Sequence, residues 1–96
     1  MIPSNRLSTH PGVILLKEFL EPLGQSQKAL AEHLGISIQR VNEVVRGKRG
    51  VTPETAWLLG EAFKTSPEFW LNLQATHDLS MNRPEFHIKP LTRASA

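Results

Sequence analysis

Gln27-Lys-Ala-Leu-Ala-Glu-His-Leu-Gly-Ile-Ser-Ile-Gln-Arg-Val-Asn42 reads as two short helices on either side of a tight turn. Ala31, four residues before Gly35, is small enough to let two helices cross closely. Gly35 can adopt the left-handed conformation that ends a helix within one residue. Ser37 can then cap the second helix by accepting backbone N–H bonds. Val41, six residues after the glycine, leans back onto the first helix and sets the crossing angle. This is the plan of a helix-turn-helix, whose second helix enters the major groove of DNA.

Outward from this core the chain divides into an arm (1–9), a helical domain (10–79) and a tail (80–96). The arm has no periodicity. His10-Pro11-Gly12 precedes an apolar pattern from Val13 to Leu23, with Leu16, Phe19, Leu20 and Leu23 at helical spacing. Pro11 suits a first helical turn and Pro22-Leu23-Gly24 a stop. Ser26 caps the second helix, Gln27 to Leu34, whose inner stripe is Leu30, Ala31 and Leu34. The third helix runs from Ser37 to near Gly47. Thr52-Pro53-Glu54 opens the fourth with a cap, a proline at the first position and an acid at the positive end of the dipole. Its apolar face includes Ala56, Leu59, Ala62 and Phe63, and Trp57 is assigned to the core. Ser66-Pro67-Glu68 repeats that opening for the fifth helix, with Phe69, Trp70 and Leu73 following and a stop at Asp78 to Ser80. No cap has Glu or Gln three residues on, so no capping box is expected. In the tail, Phe86-His-Ile-Lys89 alternates apolar and polar residues between Pro84 and Pro90, the pattern of a short strand paired with a second subunit. The expected fold is all-α, five helices with one possible C-terminal strand.

The 96 residues suffice for one domain with a modest core. No segment approaches the roughly 18 apolar residues of a membrane span. Met1 to Arg6 lacks the apolar run of a signal peptide, and there is no cysteine, which fits a cytoplasmic protein without disulfides or thiolate metal sites. The formal charge of +2 is unevenly spread. Residues 37–50 hold four of the eleven basic residues (Arg40, Arg46, Lys48, Arg49) and one of the nine acids (Glu43), a local +3 against −1 elsewhere. That is where a phosphate backbone would lie.

With about 100° per residue and Ile38 at zero, Val41 and Val45 fall within about 60° of Ile38, which makes these three the buried side of the third helix. Gln39, Arg40, Glu43 and Arg46 face away, Asn42 lies on the flank and Ser37 at the N-terminal end. Glutamine can pair with adenine, arginine with guanine, and glutamate can accept from cytosine. Glu43 is repelled by phosphates unless it meets a cytosine amino group or pairs with Arg40 or Arg46. Ser26 and Gln27, at the free N–H groups of the second helix, can hold a phosphate. Arg46-Gly-Lys-Arg49 suits a grip on the backbone. The expected DNA-contacting set is therefore Ser26, Gln27, Ser37, Gln39, Arg40, Asn42, Glu43, Arg46, Lys48 and Arg49. Phe69, Trp70 and Leu73 either close the core or form a two-fold interface. Dimerisation is expected because one reading helix spans few base pairs.

His10, His33, His77 and His87 include no pair three or four residues apart, so no metal site is expected. His10 is assigned to the start of the first helix and His33 to a partly exposed helical position. No nucleophile elbow, phosphate loop or carboxylate pair is present, which argues against an enzyme and leaves no cofactor to expect.

From His10 to Leu79 the chain resembles the HigA-like antitoxins, the VapI group of lambda-repressor-like helix-turn-helix proteins. The stretches that carry the likeness are His10-Pro-Gly-Val-Ile-Leu-Leu-Lys-Glu-Phe-Leu-Glu-Pro-Leu-Gly24, Gly47-Lys-Arg49 and Thr65-Ser-Pro-Glu-Phe-Trp-Leu-Asn-Leu-Gln74. The resemblance implies a five-helix homodimer that binds operator DNA in its own promoter. It also implies a toxin partner, usually a small RelE-like ribonuclease, that the antitoxin neutralises. Lys17, Glu18 and Glu21 on the first helix, the arm and the tail are the surfaces open to such a partner. A stand-alone transcriptional regulator of the same fold and a protein-interaction module without DNA binding remain as alternatives.

Overall fold

The structure is a computed structural model that describes residues 9–92. The arm assigned to residues 1–9 thus lies, apart from Thr9, outside the described residues. Five helices are described, with no strand among these residues. Helix α1 spans 11–23 as three continuous pieces: Pro11–Ile14, a π-helical Leu15–Leu20 and Glu21–Leu23. Then come α2 (Gln27–Leu34), α3 (Ile38–Val45), α4 (Pro53–Phe63) and α5 (Pro67–Met81). The last runs slightly beyond its expected stop.

Helix starts follow one device. Ser26, Ser37, Thr52 and Ser66 each accept from the backbone N–H three residues on, at 3.0, 3.1, 3.3 and 3.1 Å. Such caps are worth about 1 kcal/mol each. His10 caps α1 with its ring instead, Nδ1 accepting from Gly12 N, two residues on, at 2.9 Å. Gly24 and Gly35 end α1 and α2 at positive φ of 64° and 75°.

The π turn of α1 redraws its apolar stripe. In an α-helix, residues five apart point about 140° away from each other. A π turn, closed by i→i+5 bonds, brings them to one side. Leu15 and Leu20 are accordingly both buried, while Leu23, expected on the inner stripe, is 59% exposed. Pro22 gives the turn a cause: its ring would crowd the carbonyl four residues back in a regular helix.

Leu15, Leu20, Leu30, Ala31, Val41, Val44, Val51, Ala56, Leu59 and Trp70 form the core. Trp70 retains no accessible surface and donates its indole N–H to Thr65 Oγ1 at 2.7 Å. Phe19 packs on it with ring centroids 5.2 Å apart, and Phe63 packs on Phe19 at 4.8 Å.

Three expectations are corrected. Trp57 is 60% exposed, not core, because α4 turns the stripe of Ala56, Leu59 and Gly60 inward and leaves Trp57 outside it. Trp70 cannot contribute to a two-fold interface, since it has no surface to bury. Residues 86–89, expected as a possible short strand, form none within the protomer, and Phe86 and Ile88 stand exposed.

Candidate nucleic-acid interface

Helix α3 is seated from two sides. Val41 and Val44 point inward, each 3% exposed. The first turn of α1 lies so close beneath its end that a Cβ on Gly12 would collide with the Val44 carbonyl oxygen. The inner side of α3 is therefore centred on Val41 and Val44, about 60° round from the Ile38, Val41 and Val45 centre expected. Ile38 is 51% exposed and joins the outer face.

The rotation changes what each polar side chain can do. Arg40 is turned back into the protein. Its Nη2 donates to Glu54 Oε1 at 2.9 Å and to Thr55 Oγ1 at 2.7 Å, at the first turn of α4. Only 24% of its side chain is exposed and its Nε has no acceptor. This corrects its expected place on the outward face: Arg40 clamps α3 to α4. Gln39 is exposed and its amide reaches Glu43 Oε2 at 3.4 Å. Asn42 donates to Gln27 Oε1 at 3.1 Å, so the first residue of α2 and the flank of α3 present a joined amide pair. That pair retains one carboxamide oxygen and further N–H groups for another polar edge.

Glu43 finds a cation, but it is neither Arg40 nor Arg46. Arg49 folds back from the loop and meets Glu43 Oε1 through Nε at 2.9 Å and through Nη2 at 2.8 Å. The Arg49 hydrogen bond holds the Glu43 carboxyl below the usual carboxylate range. Gly47, at φ 75°, makes the bend, and Lys48 N and Arg49 N donate to the Glu43 carbonyl at 2.8 and 3.2 Å. Among the described residues Arg46 and Lys48 have no ion pair, and both are exposed. Ser26 and Ser37 are exposed; each hydroxyl oxygen accepts a capping bond and keeps its O–H to donate.

The loop is tied down at its far end by a residue the sequence did not single out. Gln74 Oε1 accepts from Val51 N at 2.7 Å while its Nε2 donates to Asp78 Oδ1 at 2.9 Å. A groove of 450 Å³ separates loop and α5, with His10, Lys48, Arg49, His77 and Asp78 around it. The His10 and His77 rings meet edge to face at 4.9 Å. Burial, then His77, lower the His10 pKa, and Asp78 partly opposes them. Among the described residues no group of three His, Cys, Asp or Glu side chains could hold a metal.

Two capped helices crossing at a left-handed glycine, the second locked by two valines and followed by a basic loop, define a helix-turn-helix protein. The helix-turn-helix family matches over residues 16–70. Virulence-associated protein I of Dichelobacter nodosus is 47% identical over 72 residues, 75% of this chain and 67% of that protein. Antitoxin HigA-1 of Vibrio cholerae is 38% identical over 97 residues, 95% of this chain and 90% of the antitoxin. The crystal structure of PA4674 from Pseudomonas aeruginosa in complex with its 18-bp operator DNA superposes with a TM-score of 0.82 at 39% identity, covering 86% of this chain and 96% of that one. The chain belongs to the HigA-like antitoxins of the helix-turn-helix family.

Proposed function

We propose that this protein binds operator DNA as a homodimer, represses its own operon and neutralises a small RelE-like ribonuclease toxin. The carrying observation is the seating of α3. Val41, Val44 and the Arg40 clamp fix one side, leaving Gln39, Asn42 and Arg46 on a rigid outer face beside Lys48. A similar protein was crystallised on its operator, which supports the same use here. Gln39, Asn42 with Gln27, and Arg46 are the proposed base and groove contacts. Lys48 and the N–H groups at the start of α2 meet phosphates, and Glu43 with Arg49 holds the loop rather than the DNA. Trp57, Phe69 and Leu73, all retaining accessible surface, form the proposed two-fold contact. Glu18 and Glu21 on α1 and the exposed tail around Phe86 and Ile88 face the toxin.

The test is a mobility-shift titration with the DNA upstream of its own reading frame. Log affinity is expected to fall with log salt at about −0.9 per phosphate contacted. Lys48→Ala should weaken operator and random duplex alike and make that slope shallower by about one unit per subunit. Co-purification of the protein encoded by the adjacent reading frame, and loss of its RNA cleavage in the complex, tests the toxin assignment. An operator binder with no such neighbour is a stand-alone regulator.

A further inference from the structure

Four residues make up the cap and first turn of α3, the part of a reading helix that comes closest to base edges. Ser37 Oγ accepts the capping bond and keeps its O–H to donate, Arg40 is drawn back to Glu54 and Thr55, and Gln39 reaches Glu43. Ile38 is the one apolar side chain of the four. Ile38 is 51% exposed on a helix whose inner side is filled by Val41 and Val44. It stands one turn before Asn42, so the two share a strip of the outer face. A β-branched side chain in a helix is held near one χ1 rotamer, which makes Ile38 a stiff apolar knob rather than a flexible one.

The major-groove floor offers one apolar group, the C5 methyl of thymine, and cytosine lacks it. We propose that Ile38 is a specificity-determining residue that packs on a thymine methyl in each operator half-site, beside the base met by Asn42. This rests on the operator-binding function proposed above. It assigns to an apolar side chain part of the sequence choice that the polar residues of α3 would otherwise carry alone.

The experiment replaces each thymine of the footprinted upstream duplex in turn with deoxyuridine, which removes only the methyl. Burial of one methyl is worth about fourfold in affinity, so one symmetry-related pair of thymines should each cost the wild-type protein about that factor. Ile38→Ala should bind the unmodified duplex more weakly and lose the dependence at that position alone, while Ile38→Val should keep most of it. Such a coupled loss is the signature of direct contact. Because Ile38 lies outside the core, thermal unfolding of Ile38→Ala should match wild type. The assignment is overturned if no uracil substitution weakens the wild-type protein, or if Ile38→Ala retains the same sensitivity. Absence of any binding to the upstream duplex would overturn the operator function together with it, and is distinguishable because every duplex would then fail alike.

Discussion

Gly12 and His10 show how much of the reading helix's position is decided by single residues outside it. Gly12 is required by contact, since any Cβ would meet the backbone of Val44. Gly12→Ala must therefore push α1 and α3 apart, and overpacking of this kind costs about 1–3 kcal/mol. A urea titration should show that loss, and unchanged stability would mean the two helices can separate freely. His10 acts through its protonation state. The neutral ring accepts from Gly12 N at 2.9 Å, and a proton on Nδ1 would turn that acceptor into a donor facing another donor. Its pKa is lowered in the fold by burial and by His77, so the unfolded chain binds the proton more readily. The stability His10 provides is thus fully present above its ordinary value near 6.5 and is lost as pH falls through the lower folded value. Melting temperatures at pH 7.5 and 5.5 should differ more for wild type than for His10→Asn, which keeps a side-chain acceptor but cannot titrate. Equal pH dependence would remove His10 as the cause.

Elements were legible wherever the sequence carries its own punctuation. Ser26, Ser37, Thr52 and Ser66 cap the helices they were expected to cap, and Gly24 and Gly35 take the left-handed conformation their positions demand. The rotation of α3 about its axis was not legible. In an eight-residue helix Ile38, Val41 and Val45 make one plausible stripe and Val41 with Val44 another, and only the packing of α1 beneath Val44 chooses. Trp57 follows the spacing of its helix, since Ala56, Leu59 and Phe63 define a stripe that omits it. The π turn had only Pro22 as its sign. Arg40 could not be read at all, since its partners lie fourteen and fifteen residues away in sequence. The clamp yields a prediction distinct from that of a base contact. Arg40→Ala removes charge-assisted hydrogen bonds from a partly buried site and should lower stability by about 1–3 kcal/mol. It should weaken operator and random DNA by similar factors, because α3 as a whole is loosened. Full stability with a loss confined to the operator would return Arg40 to the groove.

At the scale of the molecule the two tryptophans report on assembly, because one lies inside and the other outside. Trp70 has no accessible surface, whereas Trp57 is 60% exposed. In an isolated protomer iodide should quench Trp57 and spare Trp70, and Trp57→Phe should leave an unquenched, blue-shifted emission. Among the exposed apolar side chains Trp57 is the largest, while Phe69 is 37% exposed and already rests edge to face on Trp70 at 5.1 Å. A tryptophan leaving water on both sides of a two-fold contact has the size and rigidity of an interface hot spot, worth about 2 kcal/mol or more on truncation. Trp57→Ala should therefore raise the dissociation constant of the proposed dimer by at least about thirtyfold, more than Phe69→Ala does, as read by sedimentation equilibrium. Dilution of the wild-type protein through its dissociation range should unmask Trp57 to iodide in step with the fall in mass. If the mass halves while quenching stays constant, the proposed protomers meet elsewhere and Trp57 lies outside their contact.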